Sequence, residues 1–213
     1  MNIESGQEAL LIDLQHLPCI SYFSLLKKYK IIYLESEESY IKQSYRNRCY
    51  ILTSNKIDRL TVPVKYKNGL KTRKVEIDYV QKWQNRHWRA LKSAYAKTPF
   101  FEFYGDYFEE IIYAQHQYLY DLNMDLLTLC LKMLNIKVDI RHTDTYYHEV
   151  PENIADFRSV IHPKKESGIK NVQFYNQIFG SDFTENLSII DLLFNEGQNS
   201  SVIIDQQAKN LIF

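Results

Sequence analysis

The 213 residues carry 26 Lys/Arg and 26 Asp/Glu, so the formal net charge is zero, and 45% of them are apolar. The apolar content supports a real core in one domain, and the balanced charge, with no RNA-binding motif, argues against nucleic acid as the partner. No apolar run approaches the ~20 residues that span a membrane, and the N-terminus MNIESGQEALL lacks the charged-then-apolar pattern of a signal peptide. Three widely spaced cysteines without a CxxC pair argue against a disulfide framework or a zinc site, and they fit a reducing compartment. A soluble, cytoplasmic protein is expected.

Taken in order, ALLIDLQHL (9–17) reads as a buried strand, CISYFSLLKKY as a helix entered after Pro18, and KIIYLE (30–35) as a second strand. That succession predicts a parallel βαβ unit. Its first turn, Gln15-His16-Leu17-Pro18, then falls at the carboxyl edge of the sheet, where open α/β sheets bind ligands. His16 in that turn and Tyr22 just beyond it are therefore substrate-binding candidates. CYILT and RLTVPVKY read as a hairpin joined by SNKID, with Pro63 marking an edge or bulged strand, and RKVEIDY as a further strand. Asp78, three residues before Gln81, is an Asp variant of the capping box that should open the next helix.

Helices are predicted over 82–97, 100–114 and 117–134, and KVDIRHTDTYY as a short strand. Residues 148–171 read as a long loop, NLSIIDLLFNEG (186–197) as a helix ended by Gly197, and 198–213 as a terminal tail that frays or docks. The fold class is α/β: one domain over 1–213, with a mixed sheet opened by the βαβ unit and covered by a helical layer.

The chemistry is narrowed first by what is missing. The six glycines form neither GxGxxG nor GxxxxGKS, and there is no GxSxG or HExxH. His142, Asp144 and His148 have a spacing that could ligate a metal, but surface placement is the expectation, and no metal site or cofactor is assigned. Cys19 at a helix start could be a reactive thiol; a small buried apolar role is the stronger reading.

Charge is unevenly spread. From Lys42 to Lys97 there are 15 basic and 3 acidic residues, against 11 and 23 in the remainder. Such asymmetry points to an anionic ligand or to docking of one half on the other. Lys42, Arg46, Asn47 and Arg48 form a candidate anion clamp, because planar guanidinium groups bind phosphate or carboxylate in bidentate fashion. Arg158, His162, Lys164 and Lys165 could close over the same anion. In the helix that follows, Trp83, His87, Leu91, Ala94 and Tyr95 share one face, which places His87 inward on an apolar stripe. It is either a satisfied core histidine or the acid/base of a pocket.

Several stretches resemble one family. HLPCISYFSLL, YIKQSYRNRCYI with LTVPV, KWQNRHWRALKSAYAKTPFFEFY, DFRSVIHPK, FYNQIFG and NLSIIDLLFNEG together resemble the bacterial WbqC-like proteins, named for a product of O-antigen gene clusters. The resemblance runs from about residue 10 to 204. Where the family often has further Pro, Trp or Gly near the tyrosine of SYF, this chain has Cys19 and Ser21. The family brings no established catalytic residues, but its gene context implies a place in surface-polysaccharide biosynthesis. The function expected is a cytoplasmic transferase acting on a small anionic molecule such as a sugar nucleotide, with acyl or aminoacyl transfer to a nucleotide-linked amino sugar as one form. In that reading His87 is the acid/base, Arg46 and Arg48 are the clamp, and Asn47 is the orienting amide. The alternative is a non-catalytic binding or scaffold protein of the same pathway.

Overall fold

A computed structural model describes residues 9–164 and 173–211. The expected βαβ unit is present: β1 (Ala9–Asp13), α1 (Ile20–Leu26) and β2 (Ile31–Glu35), with Ala9 opposite Ile31 and Asp13 opposite Glu35 in parallel register. Two more parallel strands extend it, β7 (Asp139–His142) beside β2 and β8 (Ile154–Asp156) beside β1, giving the order β7-β2-β1-β8. Besides three isolated bridges, the antiparallel pairing among the described residues forms two separate ribbons. One joins β3 (Arg48–Leu52) to β4 (Ile57–Thr61), and the other joins β5 (Val64–Lys65) to β6 (Glu76–Ile77). The mixture of pairings is therefore divided among three sheets, and the four-stranded one is parallel throughout.

Period-two alternation sorts the strand residues to the two faces of this sheet. Leu10, Ile12, Ile32 and Leu34 join the main core, while Ala9, Leu11, Ile31, Tyr33 and Ile154 form a small cluster on the other face. The main core is closed by α1 and by α2 (Trp83–Tyr95), α3 (Phe101–Tyr113), α4 (Leu119–Met133), α5 (Ile189–Glu196) and α6 (Ser200–Asn210). None of the described helices is long and apolar enough to cross a membrane.

Several expectations change. The strand predicted over RLTVPVKY is split by Pro63, which has no N–H to donate to a ladder; its carbonyl instead accepts from Asp78 N. Asp78 does not cap α2. Its Oδ1 accepts from Val80 N in a local turn, and α2 begins after Lys82, a left-handed residue with no side-chain cap. The loop predicted over 148–171 contains β8, of which only Ile154 is buried, too short a strand to leave a period. Its residues 165–171, including Lys165, lie outside the described residues, as do 1–8 and 212–213. The expected tail is α6, seated on α1 with Ile203, Ile204, Gln207 and Ala208 buried. Gly197 ends α5 as expected, at φ 55°, and a Cβ there would come within 2.4 Å of the Phe100 ring.

Candidate functional site

The β3–β4 register builds one wall of the site. Arg48 pairs with Thr61 and Tyr50 with Arg59, and residues opposite one another in an antiparallel ladder point to the same side. Arg48, Thr61 and Arg59 therefore share a face of the hairpin. Two hydrogen bonds fix the approach to β3: Val62 N–H donates to the Asn47 carbonyl, and Asn47 Nδ2 donates to the Val62 carbonyl, each at 2.8 Å. Helix α2 packs on β4 and supplies Arg86 and His87 as the opposite wall. The resulting cavity, about 170 Å³, is lined by Arg48, Arg59, Leu60, Thr61, Arg86 and His87, with no carboxylate among them.

Three polar atoms of these lining residues are buried and unpaired among the described residues: Arg48 Nε, Thr61 Oγ1 and His87 Nε2. Leaving one such group unsatisfied costs about 1–3 kcal/mol. All three belong to residues around one cavity, and a bound group with matching donors and acceptors would supply their partners.

The tautomer of His87 follows from its neighbours. Its Nδ1 lies 3.2 Å from the carbonyl of Trp83, one helical turn back, and a carbonyl can only accept. Nδ1 thus carries the proton, and Nε2 keeps its lone pair. Burial first, then the proximity of His16 and Arg86, brings the His87 pKa down to about 3. Its imidazole is neutral at physiological pH.

His16 repeats the arrangement, with its ring edge-to-face to His87 at 5.7 Å between centroids. Asn123 Nδ2 donates to the Arg46 carbonyl at 2.8 Å, which orients the amide so that its Oδ1 accepts from His16 Nδ1 at 2.9 Å. His16 Nε2 is again buried and unpaired among the described residues, and burial takes this pKa down to about 4. The turn that carries His16 is strained. Leu17, fully buried, sits at φ 43°, a region that bulky residues rarely enter and one that clusters at functional sites.

Of the predicted clamp, only Arg48 reaches this cavity. Arg46 is 1% exposed and spent on internal ion pairs: Nη2 donates to Glu38 Oε2 at 2.6 Å, Nε donates to Glu38 Oε1, and Nη1 lies 3.6 Å from Asp13 Oδ2. Asn47 Nδ2 pins the backbone, and its Oδ1 is buried without a hydrogen-bond partner among the described residues. Lys42 lies exposed over the Tyr66 ring at 3.6 Å. Tyr22 is buried and donates to the Asp13 carbonyl. Lys164 donates to Gln43 Oε1, and Arg158 is held by Glu35, Asp156 and the Tyr147 carbonyl. These two therefore do not close over the arginine cavity; their acidic and carbonyl partners were invisible in a count of basic residues. Arg59, Arg86 and Thr61 were missed. The hairpin register would have placed Arg59 and Thr61 beside Arg48, and Arg86 adjoins His87 in the chain.

Cys19 is buried, with its thiol pKa pushed up to about 11 by burial, which gives it the apolar role. His142 Nδ1 bonds the Tyr120 hydroxyl, and Asp144 accepts from Tyr147. Among the described residues no group of three or more His, Cys, Asp or Glu is placed to hold a metal.

Comparison with known proteins agrees with the motifs. The chain is 26% identical over 220 residues to an uncharacterised protein, Rv1507c, of Mycobacterium tuberculosis (strain ATCC 25618 / H37Rv), covering 90% of this chain and 94% of that one. No solved structure matches. The family model described as the WbqC-like protein family matches residues 15–167, a span that takes in His16, the β3–β4 hairpin and His87, and the chain belongs to that family.

Proposed function

We propose that the protein is a transferase of cell-surface polysaccharide biosynthesis, acting on a donor whose electrophilic carbon is joined to phosphate through oxygen. Arg48, Arg59 and Arg86 hold the phosphate, and Nε2 of His87 accepts a proton from the acceptor's attacking group. The nucleophile's N or O forms its bond to the donor carbon, the carbon–oxygen bond to phosphate breaks, and its electron pair leaves on the phosphate held by the arginines. The proton goes to His87. Burial is the main cause that holds the His87 pKa down; a bound anion offsets the smaller contribution of the Arg86 charge and so raises its basicity when the substrate is in place. The pathway comes from the family's gene context.

The observation that carries this reading is the carboxylate-free cavity whose Arg48, Thr61 and His87 atoms lack partners. At about 170 Å³ it is smaller than the ~300–1,000 Å³ of whole-ligand pockets, which suits a phosphate group with the rest of the donor outside.

A thermal-shift panel of nucleotide sugars, nucleoside diphosphates and coenzyme A tests it. A ligand at one hundred times its Kd stabilises by about 2.7 kcal/mol. Phosphate-bearing compounds should raise the melting temperature and their phosphate-free counterparts should not. With the substrate in hand, His87→Gln should keep binding and lose turnover on the order of 10²-fold or more. Unchanged turnover would remove His87 from the chemistry, and a panel without any phosphate-dependent shift would remove the donor class.

A further inference from the structure

A second cavity, about 640 Å³, lies at the carboxyl edge of the parallel sheet. Glu37 and Ser39 enter it after β2, Tyr146 and His148 after β7, and Asp156 and Arg158 at the end of β8. Open parallel sheets bind ligands here because a crevice forms where neighbouring connections diverge. From β1 the chain crosses to β2 on one side, while β8 lies on the other, so this edge has that divergence.

The charges in and behind the wall balance. Arg158 bonds Asp156 at 2.7 Å and Glu35 at 3.0 Å, Arg73 bonds Glu37 at 3.1 Å, Arg46 bonds Glu38, and Lys71, which donates to the Glu37 backbone carbonyl, offsets the second carboxylate on Arg158. That leaves little net field to select an ion. It does leave hydrogen-bonding capacity in fixed positions, because a carboxylate has about four acceptor sites and these pairings use only some of them. The apolar members are Ile41, 40% exposed, and the aromatic Tyr146, 37% exposed. The Arg158 guanidinium stands 4.6 Å from its ring centroid, and the His148 ring meets it edge-on at 5.0 Å. The tyrosine is thus braced by a cation that is itself held by two carboxylates and a backbone carbonyl.

An aromatic ring beside rigid, mutually neutralised carboxylate and guanidinium groups complements a pyranose. The sugar's C–H face packs on the ring, and its hydroxyls both donate to and accept from the charged pairs. We infer that this cavity binds an uncharged sugar ring stacked on Tyr146, with its hydroxyls bonded by Asp156, Glu37 and Arg158. The volume is within the ~300–1,000 Å³ of small-molecule sites. The two cavities share no lining residue, so the assignment stands or falls apart from the phosphate reading.

Saturation-transfer NMR with methyl β-glucopyranoside, methyl β-galactopyranoside and N-acetylglucosamine tests it, with glucosamine and glucuronate as charged comparators. Neutral sugars should receive saturation from the protein. Tyr146→Ala should weaken them about tenfold, Tyr146→Phe should retain them, and the Arg59→Ala/Arg86→Ala variant should bind them unchanged. Tyr146 is surface-exposed, so the alanine variant should fold. Absence of transfer to every neutral sugar, undiminished transfer with Tyr146→Ala, or binding of the charged sugars alone would overturn the assignment. Loss of pyrophosphate binding in the double-arginine variant, measured on the same samples, reports only on the other cavity.

Discussion

Replacing Arg46 separates a ligand-binding arginine from a structural one. The side chain is 1% exposed and neutralises two carboxylates that are also buried, Glu38 at 6% and Asp13 at 1%. Its Nη2 donates to Ser159 Oγ as well, at 3.1 Å. Among the described residues, Arg46→Ala leaves the Glu38 carboxylate with the Thr72 hydroxyl, and Asp13 with the Gln15 amide and Ser159 N–H. Removing one partner of a buried pair costs about 3–5 kcal/mol, because the remaining charge is stranded in a medium that solvates it poorly. Against a total stability of about 5–15 kcal/mol, that is a large fraction. Urea unfolding followed by the fluorescence of the two tryptophans, both in α2, reads it directly. The double change Arg46→Met/Glu38→Gln should recover part of the loss, since it removes the Glu38 charge along with its partner and leaves Asp13 to the Gln15 amide and Ser159 N–H. A loss below about 1 kcal/mol, or intact stability with ligand binding abolished, would refute the structural role and restore Arg46 to the anion site.

Two further perturbations test the site and its frame. His16 and His87 have native pKa values of about 4 and about 3, below the ordinary 6.5, so between those limits the unfolded chain binds protons that the folded one refuses. Both groups are neutral in both states above pH 6.5 and cost nothing there; stability falls as pH drops from 6.5 towards 4, by about 1.4 kcal/mol per pH unit for each histidine. Buried Asp191, whose pKa is raised by burial, runs the opposite way, so the comparison is with His87→Gln, which should flatten the acid slope by that share; parallel slopes would contradict the buried neutral state. Gly197→Ala forces a Cβ to within 2.4 Å of the Phe100 ring at φ 55° and should destabilise by roughly 1–3 kcal/mol, lowering Tm by about 2–4 °C per kcal/mol; an unchanged Tm would mean that the α5–α6 junction relaxes freely.

What the sequence disclosed depended on how local the signal was. The βαβ unit was legible because its strands are continuous apolar runs around a short helix of fitting spacing. His87 was placed inward because Trp83, Leu91 and Tyr95 share its face, and the structure leaves it 1% exposed. The site itself was only half visible. Arg46 and Arg48 look alike two residues apart, yet Arg46 lies in the turn before β3 and goes to Glu38, while Arg48 opens the strand and lines the cavity. Arg59 reaches the site through strand pairing across the hairpin, which composition does not encode. Residues of β8 were lost in a polar stretch, and α6 was hidden by its polar residues although Ile203, Ile204 and Ala208 keep a helical stripe.

Titration of inorganic pyrophosphate into the wild-type protein and the Arg59→Ala/Arg86→Ala variant, by calorimetry at pH 7.5, tests the anion site most directly. Both arginines lie on the surface, so the variant should fold, and each removes a charge-assisted hydrogen bond to the ligand. The account predicts one bound pyrophosphate per chain and an affinity lowered by about 100-fold or more in the variant. Equal affinity in the two proteins, or no binding to the wild type, would contradict it.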